Sequence, residues 1–499
     1  MNSNNKVYRA TGGKRGKNMI KSIQGRTPWE FMTRKDVERI HETSLDILSK
    51  TGIVMPLENR RLAQLQEYGV KVDRDKNRLY FPAQVVESAL KKAPTSYVLC
   101  ARNPDYDLPL DGAHGYLSTD GSATQIVDLT SGAIRKSTKN DLREITRIAD
   151  HLPEISFLWP SVSAQDCLPK VQPLHELEAV LANTEKHVQA MTAVEPLHAR
   201  GTVDIAVLLA GGKESLKQRP IISNFQCSLS PLSYDGKALE AALIFAEAGV
   251  PVGFVTMQIG CSTAPATLAG NLALGNAEIL AGITLVELCY PGTPTFYGCC
   301  ATMMELKRGG VTCGGPEDLL LQSLAAQMAR YYRIPASIGT FCTSSKSNDW
   351  QAGMENGFSS MVSVFSQADL MSGAGLICAA KVFSIEQMIL DCATYDILWH
   401  VAKGIEVNEE TLAYPVIQKV GPRNHFMTEE HTLHHLDQVW MSAMINRDSY
   451  FDWEQSGKPS PQNLARKKAR EILSGPGPDP GKYADEIQKI IASYENTKE

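Results

Sequence analysis

The chain has 499 residues, a formal net charge of −5, 43% hydrophobic residues and 21% charged residues. That balance is ordinary for a globular protein and supplies a sizeable core without disulfides or a structural metal. It argues against nucleic-acid binding, which calls for a basic face. Eleven cysteines lack the spacing of a zinc ribbon or a redox C-x-x-C pair and read as reduced thiols. No secretory leader and no apolar run of roughly 20 residues is read, so a cytoplasmic protein off the membrane is expected.

In chain order, residues 1–30 form a basic arm, with Lys6, Arg9, Lys14, Arg15, Lys17, Lys21 and Arg26 among Gly, Asn and Ser. Such composition predicts a flexible or surface-draped segment, or a contact with an acidic partner or neighbouring subunit. Residues 31–115 read as a small helical subdomain. Val37, Ile40, Leu45 and Leu48 share one helical face over 36–49, further helices are expected over 59–68 and 85–90, and a short strand over 79–81.

From residue 116 the pattern becomes an alternation of strand and helix. Strands are expected over 116–120, 156–163, 187–193, 221–227, 252–258, 295–300, 336–341 and 370–378. Helices follow over 141–151, 175–184, 197–210, 238–248, 268–288, 317–332, 351–366 and 385–402. The first unit is irregular, because 126–137 reads as a hairpin inserted before its helix. Eight such units over 116–405 close most simply into a (β/α)₈ TIM barrel, with a doubly wound open sheet as the alternative. Residues 406–499 form an extension: a His-rich segment, a Pro/Gly linker at 474–481 and a last amphipathic helix over 483–493.

In such a barrel the reacting groups lie at the C-terminal ends of the strands. That rule nominates Asp120, Gln165, Asp166, Thr192, Gln226, Gln258, Tyr297, Cys299, Phe341 and Cys342. The set is rich in amides and thiols and poor in paired carboxylates, unlike a glycosidase site. Trp159, Phe225, Phe296, Tyr297, Phe341 and Trp350 fall near strand ends. Their rings either pack the core or surround a quaternary ammonium, where each contact contributes about 0.5–2 kcal/mol. Strand alternation lets only one of Phe296 and Tyr297 face the interior. His425, His431, His434 and His435 cluster in HFMTEEHTLHH, where His431 and His435 sit one helical turn apart. They serve packing or a metal, but the HExxH arrangement is absent. The Gly-rich stretches at 308–317 match neither a Walker A loop nor a dinucleotide fingerprint.

Three stretches resemble the trimethylamine:corrinoid methyltransferase family: 42–54 (ETSLDILSKTGIV), 332–353 (YRIPASIGTFCTSSKSNDWQAG) and, most specifically, 424–453 (NHFMTEEHTLHHLDQVWMSAMINRDSYFDW). The resemblance implies a barrel and methyl transfer from a quaternary amine to the Co(I) of a separate corrinoid protein, with no tightly bound cofactor and no metal in the chain itself. Trimethylamine-specific members carry pyrrolysine in the later barrel. This sequence has ordinary residues throughout and resembles members without it, some of which act on glycine betaine. On this basis Asp120 is expected beside the cationic head and Tyr297, Phe341 and Trp350 as cage walls. Arg308 or Lys307 is expected to clamp a substrate carboxylate, and Gln226 and Gln258 to bond its polar atoms. The expected partners are a quaternary amine, a corrinoid protein and further copies of the chain. The competing functions are methyl transfer from another donor such as a folate, and non-catalytic binding of quaternary amines.

Overall fold

The computed structural model describes residues 19–24, 28–190, 193–476 and 483–497. Eight parallel strands form a closed barrel in chain order: β1 (Tyr116–Thr119), β2 (Ile155–Leu158), β3 (His187–Gln189), β4 (Ile222–Cys227), β5 (Val252–Thr256), β6 (Tyr297–Cys299), β7 (Ala336–Gly339) and β8 (Leu370–Ala374). Pairing of β8 with β1 closes the ring and removes the open-sheet alternative. Each strand feeds a helix on the outside: α1 (Lys139–His151), α2 (Gln172–Leu181), α3 (Pro196–Ala210), α4 (Gly236–Glu247), α5 (Leu268–Cys289), α6 (Pro316–Tyr332), α7 (Trp350–Phe365) and α8 (Ile385–Ala402).

Helix starts follow local chemistry. Thr138 and Asp141 form a reciprocal capping box on α1, and the Asp235, Asp349 and Ser384 side chains cap α4, α7 and α8. Most strands end earlier than their apolar runs suggest, because the chain leaves the barrel ladder to build small sheets at the mouth. The hairpin Gln125–Val127/Ile134–Lys136 joins Val382–Phe383 and Leu376–Ile377 in one of these. Ile259–Gly260, Thr302–Glu305 and Gly310–Val311 form the other.

Helix α5 corrects one expectation. Its 22 residues are long and apolar enough to cross a membrane, yet nearly all are buried between barrel and N-terminal region. It also holds Glu278, whose carboxylate accepts from the Ser228, Ser230 and Thr256 hydroxyls and the Leu232 N–H at 2.5–2.8 Å. That carboxylate pins the loop after β4.

The N-terminal region is continuous with the barrel core. Helix Arg34–Asp46 lies on α5, where Ser44 Oγ donates to the Ala273 carbonyl at 2.9 Å. The hairpin Tyr97–Leu99/Leu108–Leu110 places Leu99, Leu108 and Leu110 in one cluster with the lumen residues Tyr116, Phe157 and Phe296 and so plugs the bottom of the barrel. Of the basic arm, Lys21 is pinned by Glu154 and Asp396 at 2.7 and 2.6 Å, while Lys6, Arg9, Lys14, Arg15, Lys17 and Arg26 lie outside the described residues. Helix Pro461–Ser474 packs on α8 and α1, and helix Ala484–Glu495 on α3. Residues 477–482 of the linker lie outside the description.

Lumen packing requires Gly253 on β5, because a Cβ there would lie 2.0 Å from the ring of Phe296. Gly253→Ala should therefore overpack the lumen by roughly 1–3 kcal/mol. Calorimetry at fixed scan rate should show a lowered Tm, and adding Phe296→Leu should recover part of the loss.

Candidate functional site

The pleat decides which side chains reach the mouth. On β4, Phe225 and Cys227 belong to the lumen cluster, so Gln226 points to the helix side. Its amide donates to the Ala193 carbonyl and Asn224 Oδ1 at 3.2 Å. On β5, Val255 faces the lumen, whereas Gln258 lies against α5. It accepts from Thr256 Oγ1 at 2.6 Å, and a Cβ on Gly275 would meet its amide at 2.1 Å. On β6 the lumen residue is Phe296; Tyr297 faces outward, donates to Asn276 Oδ1 at 3.0 Å and stacks on Tyr332. Phe341 is fully buried in the strand–helix core. Tyr297, Phe341, Gln226 and Gln258 are thus committed to the layer between strands and helices and do not meet at the mouth.

Asp120, directly after β1, does occupy the mouth. Its carboxylate accepts from the Gly121 N–H at 2.6 Å and from the Ser372 hydroxyl on β8. It keeps partial contact with solvent, yet the protein around it desolvates the carboxylate and pushes its pKa up to about 7. Among the described residues no Lys or Arg forms an ion pair with it. Directly after the neighbouring strand β2, Trp159 is in edge-to-face contact with Phe225 at 4.5 Å, and both belong to the lumen cluster. Gly121 lets the Trp159 indole approach, since a Cβ there would stand 3.0 Å from it. The buried indole N–H of Trp159 has no acceptor among the described residues. Trp159 and Phe225, not Tyr297 and Phe341, are the aromatics gathered with Asp120. Ser372 was missed by sequence reasoning, although it shares strand parity with the lumen residue Leu370 and was the signal available.

Burial raises Cys300 well above the ordinary range, and hydrogen bonding with Cys313, followed by burial, does the same for Cys342. Cys299 faces the helix layer, and burial takes its pKa to about 12. Gln165 donates to the Ser137 hydroxyl, Asp166 accepts from the Lys139 N–H at the start of α1, and Thr192 lies outside the described residues. The four histidines lie far along the chain in the extension. His431 and His435 stack at 4.1 Å, and His435 Nδ1 bonds the His431 carbonyl. Among the described residues no group of three His, Cys, Asp or Glu is placed to hold a metal.

Around this floor the loops raise an apolar rim. Leu168, Val194, Leu229, Met257, Leu306 and Trp350, one each from the loops after β2 to β7, are all exposed. Trp350, 78% exposed at the start of α7, belongs to the rim rather than the floor. Lys307 and Arg308 stand exposed on the hairpin beside Leu306, where Glu305 accepts from both backbone N–H groups. A cleft of about 710 Å³ opens elsewhere, lined by Tyr97, Lys217, Glu247 and Tyr290. It adjoins the plugged end of the barrel, away from the strand termini that carry Asp120.

The model of the family described as trimethylamine methyltransferase (MTTB) matches residues 3–496. The trimethylamine methyltransferase MttB of Desulfitobacterium hafniense (strain DSM 10664 / DCB-2) is 31% identical over 466 residues, covering 93% of each chain. The glycine betaine methyltransferase of Desulfitobacterium hafniense (strain Y51) is 32% identical, covering 93% of this chain and 97% of its own. Among solved structures, the Methanosarcina barkeri monomethylamine methyltransferase (MtmB) aligns with a TM-score of 0.48 at 11% identity over 93% of this chain and 95% of that one. With the family model spanning almost its whole length, the chain belongs to the trimethylamine methyltransferase family.

Proposed function

We propose that this chain transfers a methyl group from a betaine-like quaternary amine to the Co(I) of a separate corrinoid protein. One observation carries the reading: at the mouth of the barrel Asp120 forms no ion pair with a Lys or Arg among the described residues, on the lumen side that also holds Trp159 and Phe225. A quaternary ammonium cannot donate a hydrogen bond. It is held by charge and by π faces, which are the two features this floor offers.

The chemistry asked of the chain is modest. The corrinoid supplies the nucleophile, and the C–N bonding pair stays on nitrogen, so the amine departs neutral and needs no proton. That matches a mouth at which Asp120 serves as a charge and no proton need be delivered. The chain's own residues bind the cation, orient one methyl group outward and keep water away from it. The apolar rim suits closure by a docked protein, with Leu229, Met257, Leu306 and Trp350 excluding water around the contact.

The Trp159 indole N–H supports the betaine-like class, because it gives a substrate oxygen a buried donor beside the cation site. Arg308 and Lys307 on the rim hairpin are the cations a substrate carboxylate meets on entry. The remaining parts of the reading are a cytoplasmic setting, supported by eleven free thiols, and a homo-oligomeric state.

Asp120 sets the pH dependence. Its folded pKa near 7 means that the carboxylate is present above pH 7 and is progressively protonated below it. Affinity for a quaternary ammonium should therefore be full at pH 8 and fall as pH drops through 7. Titration calorimetry with glycine betaine at pH 6 and pH 8 measures this, and a flat profile contradicts the assignment. Asp120→Asn should cost at least about tenfold in affinity at pH 8 and abolish the pH dependence.

Trp159→Phe separates the two halves of the substrate. It keeps a ring but removes the N–H, so glycine betaine should lose affinity several-fold more than tetramethylammonium does. Equal losses for both ligands would remove Trp159 as the contact to the substrate oxygen.

A further inference from the structure

The lumen face of β3 carries a polar group that the site described above does not use. The strand ends at Gln189, ahead of Thr192, the residue that its apolar run nominated. Val188 belongs to the layer between strands and helices, so His187 and Gln189 point to the lumen. The His187 ring agrees: its Nε2 bonds Ser223 Oγ at 2.9 Å, and Ser223 shares strand parity with the lumen residue Phe225. Gln189 is thus the lumen residue at the C-terminal end of its strand, the place where barrel chemistry gathers. It is 3% exposed, and its Oε1 has no hydrogen-bond partner among the described residues. A buried acceptor of this kind costs stability unless a donor meets it, and few native side chains are left so.

Register fixes its neighbours. His187 pairs with Phe157 and Val188 with Leu158, so Gln189 stands beside Trp159. Ser118 also pairs with Phe157, so Asp120 flanks Trp159 on its other side. Thr119 locks that second contact: its hydroxyl donates to the Trp159 carbonyl and accepts from the Trp159 main-chain N–H, each at 3.0 Å. Adjacent strands β1, β2 and β3 therefore present, in register on the lumen face, the Asp120 carboxylate, the Trp159 indole N–H and the Gln189 amide. Asp120 and Gln189 stand two strand spacings apart, roughly 10 Å between main chains. A cation held at Asp120 meets Gln189 only through a substituent on its nitrogen.

We propose that Gln189 is a specificity residue that reads a hydroxyl carried on that substituent. The inference rests on the cation site proposed above and adds the class of group that accompanies the cation. The methyl groups of an ammonium head donate no hydrogen bond and leave both Trp159 and Gln189 without a partner. A hydroxyl accepts from the indole N–H and donates to Gln189 Oε1, so one oxygen satisfies both buried groups. A carboxylate accepts from the indole but has no hydrogen for Oε1, and it brings a second negative charge towards Asp120. Among the described residues Asp120 has no Lys or Arg partner to separate those charges. A carboxylate further along the same substrate is left to Arg308 and Lys307 on the rim.

Titration calorimetry at pH 8 tests this with tetramethylammonium, choline and propyltrimethylammonium, which has a methyl group where choline has its hydroxyl. The wild type should bind choline about fivefold or more tightly than propyltrimethylammonium. That order is the reverse of what burying the extra methyl alone gives. Gln189→Met keeps the length and removes the amide. It should bring those two probes to within about twofold of each other, with tetramethylammonium affinity held within the same factor. Circular dichroism checks the fold of the variant, and the wild-type comparison stands without it. A wild type that binds choline no more tightly than propyltrimethylammonium, or a preference that survives Gln189→Met, overturns the role of Gln189 and leaves the cation site in place. A wild type that binds none of the probes, tetramethylammonium included, overturns the cation site and this inference with it.

Discussion

The uncompensated carboxylate of Asp120 is the constraint around which the site is organised. A desolvated charge is costly unless it is paired, and among the described residues this one is held by the Gly121 N–H and the Ser372 hydroxyl. Its pKa near 7 records that cost. In the proposed reading a cationic ligand offsets that cost. The barrel supports the arrangement from below. The lumen is filled by Phe157, Phe296 and the plugging hairpin, together with Trp159 and Phe225. An apolar floor raises the electrostatic contribution of Asp120 because little water is present to screen it.

Much of the architecture was legible in the sequence. The eight strands and eight helices fall where hydrophobic periodicity places them, and α8 matches over its full range. What periodicity could not supply was side-chain direction at the strand ends. Phe296 and Tyr297 are adjacent aromatics, so one must face the lumen and the other the helices. Composition gives no preference between them, and the outcome depends on Gly253 making room for Phe296. The same parity sends Gln226 and Gln258 outward. There they help satisfy a buried polar layer with Asn224 and Thr256 instead of lining the mouth. The place of Asp120 at the mouth was legible because it directly follows a strand. Ser372 was not, because serine is too common for its position to stand out.

The stretch most diagnostic of the family, residues 424–453, lies away from the mouth. Its histidines bond within the extension, as His435 does to His431, and its apolar residues remain exposed on the chain taken alone.

The central claim is methyl transfer from a quaternary amine, and the most direct measurement is anaerobic. The purified chain is mixed with reduced cob(I)alamin and either glycine betaine, another betaine, choline or trimethylamine, and the visible spectrum is followed. The account predicts enzyme-dependent conversion to the methylated cobalamin with a betaine-like compound, and its loss in Asp120→Asn. No conversion with any of these amines, while an active relative converts its own substrate under the same conditions, would contradict it.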